Sequence, residues 1–237
     1  MAKSVKESGF QIRVNQNIRG VYLLNQTSDE KNVEILPEYE FEGRVYRSVI
    51  SCATKFFKNV ETIKISGIST KDCWMLFAER PTQKEIVTAQ RDGIPVNFRP
   101  LKKLKMVDLT NFNTELAVDM SQMFADCVSL REIKFGKFNT SNVESMDAMF
   151  ENCRALKKLN ITNWDTRNVY SASRMFKGCS NLRDCNLDLF DTDSLEYMDN
   201  MLVDCPLQRP SWYKGDTREE KLLYSLTNIG GAEYDIF

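Results

Sequence analysis

The apolar positions of this chain change their spacing in a regular way. Val143, Met146, Met149, Phe150 and Cys153 are three, three, one and three residues apart. That stripe suits one face of a short helix, with Thr140, Ser141 or Asn142 as its N-cap. Leu156, Leu159 and Ile161 then end in the period-two alternation of a strand, as do Leu130, Ile133 and Phe135 before them. The unit predicted is helix, short strand and aromatic turn. It recurs every 26 residues, as MFADC from Met123, MFENC from Met149, MFKGC from Met175 and MLVDC from Met201. Phe112, Phe138, Trp164 and Phe190 fill one column without a gap. Thr114, Thr140, Thr166 and Thr192 fill a second, and Cys127, Cys153, Cys179 and Cys205 a third. A fixed period of this length signals stacked repeats.

The frame extends upstream by half a unit through Phe98, Leu101, Leu104, Val107 and Leu109. Phe57, Val60, Ile63 and Ile65 resemble the same half unit out of phase, which places an insertion of about 15 residues within 69–93. There Asp72–Glu79 reads as one helix, Pro81 interrupts, and Thr82 with Glu85 forms a capping box for a second helix ending near Gly93. QIRV, GVYLL, NVEIL and GRVYRSVI within 1–50 read as short strands, and Arg218–Leu226 as a closing helix. The organisation predicted is an N-terminal cap with a degenerate half repeat (1–68), a helical insertion (69–97), the repeats (98–207) and a C-terminal cap (208–237). Atypical ends are what a solenoid needs to cover its terminal apolar faces.

Leu156–Cys179, LKKLNITNWDTRNVYSASRMFKGC, resembles the bacterial leucine-rich repeats of the BspA-like kind, in the variety found in Mycoplasma and Firmicutes; Ala172 stands where that pattern has its first Met. The resemblance implies an α/β solenoid of short parallel strands and short helices over about 98–207. Members of that family are mostly secreted surface proteins that bind other macromolecules, so the resemblance also implies a binding role.

Composition narrows the chemistry. Thirty-two Lys and Arg against thirty-three Asp and Glu leave a net charge of −1, so no global field draws nucleic acid or an anionic membrane. With no histidine, His-assisted zinc sites and Ser-His or Cys-His catalytic pairs are excluded. The first residues carry no apolar signal core, and no run of 18 apolar residues occurs. With seven cysteines and no CxxC, a cytoplasmic chain with reduced thiols is expected, or a cell-surface one if a leader has been trimmed. The Cys and Met columns read as packing rather than as a metal or redox array. The Phe/Trp column lacks the basic groove of a base-stacking platform, having Asn113, Asn139, Asp165 and Asp191 beside it. One carboxylate per turn is too few for calcium. No phosphate loop is present, and Asp184/Asp188 shows no sign of a tuned acid pair, so no enzyme, cofactor or metal is expected.

What remains is surface. Between the core positions of each strand lie Asp108, Lys134, Asn160 and Asn186, and one step earlier Met106, Glu132, Lys158 and Asp184. These columns vary while the core columns hardly change, as expected of a regular scaffold presenting an irregular binding face. The expectation is a non-enzymatic interaction protein that binds another protein through Glu132, Lys134, Lys158, Asn160, Asp184 and Asn186. One form of it is an intracellular inhibitor, such as a phage-type antagonist of a host defence enzyme. The alternatives are a secreted or surface adhesin-like repeat protein and a nucleic-acid-binding module.

Overall fold

A computed structural model of the chain describes residues 3–4, 9–17, 19–27, 29–50, 54, 56, 59–79, 88, 91, 99–136 and 138–213. The strands are β1 Lys3–Ser4, β2 Phe10–Asn15, β3 Gly20–Gln26, β4 Asn32–Ile35, β5 Glu38–Phe41, β6 Arg44–Ile50, β7 Thr62–Ser69, β8 Ala78–Glu79, β9 Arg99–Pro100, β10 Met106–Asn113 and β11 Glu132–Phe135. The four strand-like stretches expected within 1–50 fall in β2, β3, β4 and β6. β2 with β3 and β5 with β6 pair antiparallel, and β3 lies parallel to β6.

The repeats grow from this cap through a parallel ladder. β4, β7, β10 and β11 set Val33 beside Ile63, Ile63 beside Val107, and Val107 beside Ile133. Alternation then sends Ile63, Ile65, Val107 and Leu109 into the core and leaves Lys64 exposed. A Lys158–Asp184 bridge carries the ladder into the last units. The architecture is a leucine-rich-repeat solenoid.

Its other side is not helical among the described repeat residues, which corrects the expectation. Val143, Met146, Met149, Phe150 and Cys153 are all fully buried, as the stripe requires, yet the backbone runs through successive turns. Met149 and Cys153 N–H bond back three residues to Met146 (3.2 Å) and Phe150 (3.0 Å). Meanwhile Met120, Gln122, Phe124 and Asp126 N–H bond forward to the carbonyls of Ser145, Asp147, Met149 and Glu151, at 2.7–3.0 Å. The same ladder joins each later pair of units, so bonds that a helix would keep within itself go to the neighbour instead. Two columns of left-handed backbone make this possible. One is Gln122, Ala148, Arg174 and Asn200, and the other is Asp126, Asn152, Gly178 and Asp204.

Asp72–Glu79 is likewise no helix. Asp72 bridges to Asp119, Met75 takes a left-handed φ of 49°, and the segment ends in β8, so it is the turn ladder's first rung. Thr88 and Arg91 are helical, within the second predicted helix; its other residues, with Phe57, Phe98 and the predicted C-terminal helix, lie outside the described residues. Phe56 and Phe77 occupy the ring column upstream. Phe56, Phe77, Phe124, Phe150 and Phe176 stack at centroid distances of 6.0, 4.7, 5.3 and 5.6 Å, with planes within 14°. The strands also align one column away from the sequence reading. Val107 pairs with Ile63, so Val60 takes the Leu104 position rather than the Cys column.

The threonine column ties unit to unit. Thr140 Oγ1 donates to the Asp165 carbonyl (3.0 Å) and accepts from Asp165 N–H (2.8 Å), and Thr114 and Thr166 do the same for Asn139 and Asp191. The Asn/Asp residue beside it acts within its own turn. Asn139 and Asp191, for example, each accept the N–H two residues on.

Candidate functional site

The strand face carries the six residues singled out by the sequence, and all six are exposed. Glu132 and Lys134 stand on β11 and pair at 3.6 Å. Lys158 and Asp184, on adjacent units, pair at 2.8 Å, and that hydrogen bond and charge push the Lys158 ammonium pKa up. Asn160 and Asn186 are less free than the sequence suggested. Asn160 Oδ1 accepts both the N–H and the hydroxyl of Thr162 (3.1 and 2.8 Å), and Asn186 Oδ1 accepts Asp188 N–H (3.0 Å). Their amide oxygens hold turns, which leaves the amide NH2 groups for other contacts.

The same row continues upstream past Asp108 to Lys64 and Glu34, which the sequence did not assign to it. Glu34, Lys64, Asp108 and Lys134 stand in register across β4, β7, β10 and β11, alternating in sign. Glu34 and Lys64 pair at 2.8 Å. Asp108 is held below the usual carboxylate range by hydrogen bonds from Thr110, aided by Lys134 and Lys64. The repeat period does not mark Lys64, because the insertion interrupts it between β7 and β10.

The ladder opens in the middle of this face. No backbone hydrogen bond joins 132–135 to 158–161, although the turn ladder between those units is unbroken. Aromatic rings fill the inner side of the split. Phe135 lies 4.8 Å from Phe138 and 5.3 Å from Trp164, centroid to centroid. Outside them is a cavity of about 260 Å³ bordered by Lys134, Asn160, Asn163 and Trp164 among others. Trp164 is 8% exposed, and its indole N–H is buried without an acceptor. Gly136 also borders the cavity, and a Cβ there would come within 2.3 Å of the Thr110 carbonyl oxygen on the preceding rung.

The thiols are elsewhere and do different work. Cys127, Cys153 and Cys179 are buried and free, and each donates to a carbonyl of the preceding unit, those of Phe77, Phe124 and Phe150, at 3.7, 3.2 and 2.9 Å. Burial pushes the Cys127 thiol up to about 12 and Cys153 and Cys179 well above their ordinary value. Such thiols are inert. Among the described residues no group of three or more His, Cys, Asp or Glu could hold a metal ion, and no helix is long and apolar enough to cross a membrane.

Residues 95–211 match a family model described as "Mycoplasma protein of unknown function, DUF285". No curated protein matches the chain. Among solved structures it is similar to a leucine rich cell surface protein from Faecalibacterium prausnitzii, with 12% identity over 89% of this chain and 54% of that one, TM-score 0.47. It is also similar to a leucine-rich-repeat protein of T. pallidum, with 14% identity over 97% of both chains, TM-score 0.44. The chain spans about half the length of the F. prausnitzii protein.

Proposed function

Since the repeat segment belongs to the BspA-like leucine-rich-repeat family, we propose that this chain is a non-enzymatic interaction protein whose strand face, around Glu132, Lys134, Lys158, Asn160, Asp184 and Asn186, binds another protein. One observation carries the reading: those residues are all exposed on one side, beside an aromatic-walled cavity at the split of the ladder. The cavity has the size of a partner side chain, and the amides and ammonium around it offer donors. Mixed signs along the face suit a complementary protein better than a phosphate backbone. The cytoplasm is the proposed setting because the six cysteines among the described residues are free. Inhibition of a target enzyme, including a host defence enzyme, is one use of such a binder.

The test is a partner captured on the full chain and measured by biolayer interferometry. Lys134→Glu with Lys158→Glu should weaken it more than tenfold while the melting temperature holds, because both side chains are exposed. Unchanged affinity in that variant, together with loss of binding on substituting Glu151 and Lys177 of the turn side, would move the working surface to the other face.

A further inference from the structure

One residue before the varied columns the four repeat units carry Lys105, Arg131, Lys157 and Arg183, all exposed and all cationic, and the row ends upstream at Glu61, whose carbonyl accepts Lys105 N–H. The backbone stacks them as rungs at the entry edge of the strand face. Arg131 N–H bonds to the Lys105 carbonyl (2.9 Å), and Arg183 N–H to that of Lys157 (3.1 Å). Parallel rungs lie about 4.8 Å apart, so like charges repel within each of the two bonded pairs, Lys105 with Arg131 and Lys157 with Arg183, and stacked like charges destabilise a sheet. A row kept for solubility would not need the same sign at each rung. The neighbouring column runs Met106, Glu132, Lys158 and Asp184.

Internal partners account for only part of this row. Lys105 pairs with Glu61 at 2.6 Å, and Arg183 donates to the Asn181 carbonyl. Arg131 and Lys157 have no hydrogen-bonding or ionic side-chain partner among the described residues. They also belong to the two units between which the ladder is open. The cations left unpaired therefore flank the split, and the cavity under Lys134 and Asn160 lies further along the same strands.

We infer that the protein partner presents an acidic segment, whose carboxylates lie along Lys105, Arg131, Lys157 and Arg183 and enter between Arg131 and Lys157. This rests on the strand-face reading above and gives the partner its chemistry. A nucleic acid fits less well. The row is one residue wide, and Glu61, Glu132 and Asp184 stand immediately beside it, where a phosphate backbone would meet them. A guanidinium can take a carboxylate through two parallel hydrogen bonds, and a peptide can place its acids to avoid those neighbours.

The experiment is fluorescence anisotropy on the full chain at low salt with two labelled probes, a twelve-residue peptide alternating Glu and Ser and a single-stranded oligonucleotide of equal charge. The peptide should bind more tightly than the oligonucleotide. Arg131→Glu with Lys157→Glu should lower peptide affinity at least tenfold, and Arg131→Gln with Lys157→Gln should lower it less, both with melting temperatures no lower than the parent's, since each relieves the repulsion along the row. Tighter binding of the oligonucleotide would overturn the inference, as would peptide binding that neither rim variant weakens. If the peptide is lost with Lys134→Glu and Lys158→Glu but not with the rim variants, the rim is wrong and the strand-face reading stands. If the captured partner is insensitive to the strand-face variant while the peptide still depends on the rim, that reading fails and the rim survives it.

Discussion

Cys153 donates its thiol hydrogen to the carbonyl of Phe124, one unit upstream, at 3.2 Å, and Cys127 makes the equivalent bond to Phe77. Ionising such a thiol would remove the donor and bury a charge. Burial holds Cys127 up to about 12, whereas an unfolded thiol titrates near 8.5. A folded pKa above the unfolded one gives stability that is complete below about pH 8.5 and declines as pH rises towards 12. Melting temperature should therefore fall steadily from pH 8.5 to 11, and Cys127→Ala, though less stable at neutral pH, should show a shallower fall. A slope that Cys127→Ala leaves unchanged would show that this thiol does not cause it.

A second expectation separates turns from helix. Arg174 sits at φ 59°, in a column of left-handed residues. A side chain there costs about 1–2 kcal/mol relative to the right-handed region, which glycine avoids at some loss of chain entropy. Arg174→Gly should raise stability by up to about 1 kcal/mol, seen as a higher urea midpoint at unchanged m value. In a helix the same change would lower stability by about the same amount.

The two readings divide where the sequence was ambiguous. Residues spaced three, three, one and three apart lie on one face of a helix, but they also fall at the inner corners of successive turns that bond back three residues. Burial of Met146, Met149 and Phe150 was therefore legible while their backbone was not. Asp126, Asn152, Gly178 and Asp204 did carry a signal, since these types tolerate the left-handed region. Gln122, Ala148 and Arg174 carried none. DCWMLFA from Asp72 also mirrors DMSQMFA from Asp119, and that match could have placed Phe77 in the ring column despite the interrupted period. The exposure of the strand-face columns was legible. The split beside them was not, because it depends on how Phe135 and Trp164 pack across units.

Gly136 reports on the strand register. A Cβ there would lie 2.3 Å from the Thr110 carbonyl oxygen and 2.6 Å from Thr110 Cα, both backbone atoms that cannot swing aside. Gly136→Ala should destabilise by about 1–3 kcal/mol, in the range of overpacked cores. Equal denaturation midpoints for the variant and the parent would mean that β10 and β11 are further apart than described.

The threonine column gives the last prediction. Thr140 Oγ1 both donates to and accepts from the backbone of Asp165, so one hydroxyl satisfies two polar groups of the next unit. Valine has the same shape without the hydroxyl, so Thr140→Val leaves Asp165 N–H and C=O without these partners. Each such group costs about 1–3 kcal/mol when buried, and Thr140 is only 1% exposed. Asp165 is itself half-buried, so water recovers part of the loss, and the net expectation is about 1–3 kcal/mol. Thr140→Ser keeps the hydroxyl and removes one methyl, so it should cost about 1 kcal/mol or less. Chemical denaturation of both variants checks the ordering. Valine tolerated as well as serine would mean that the methyl, and not the hydroxyl bridging two units, is what the column retains.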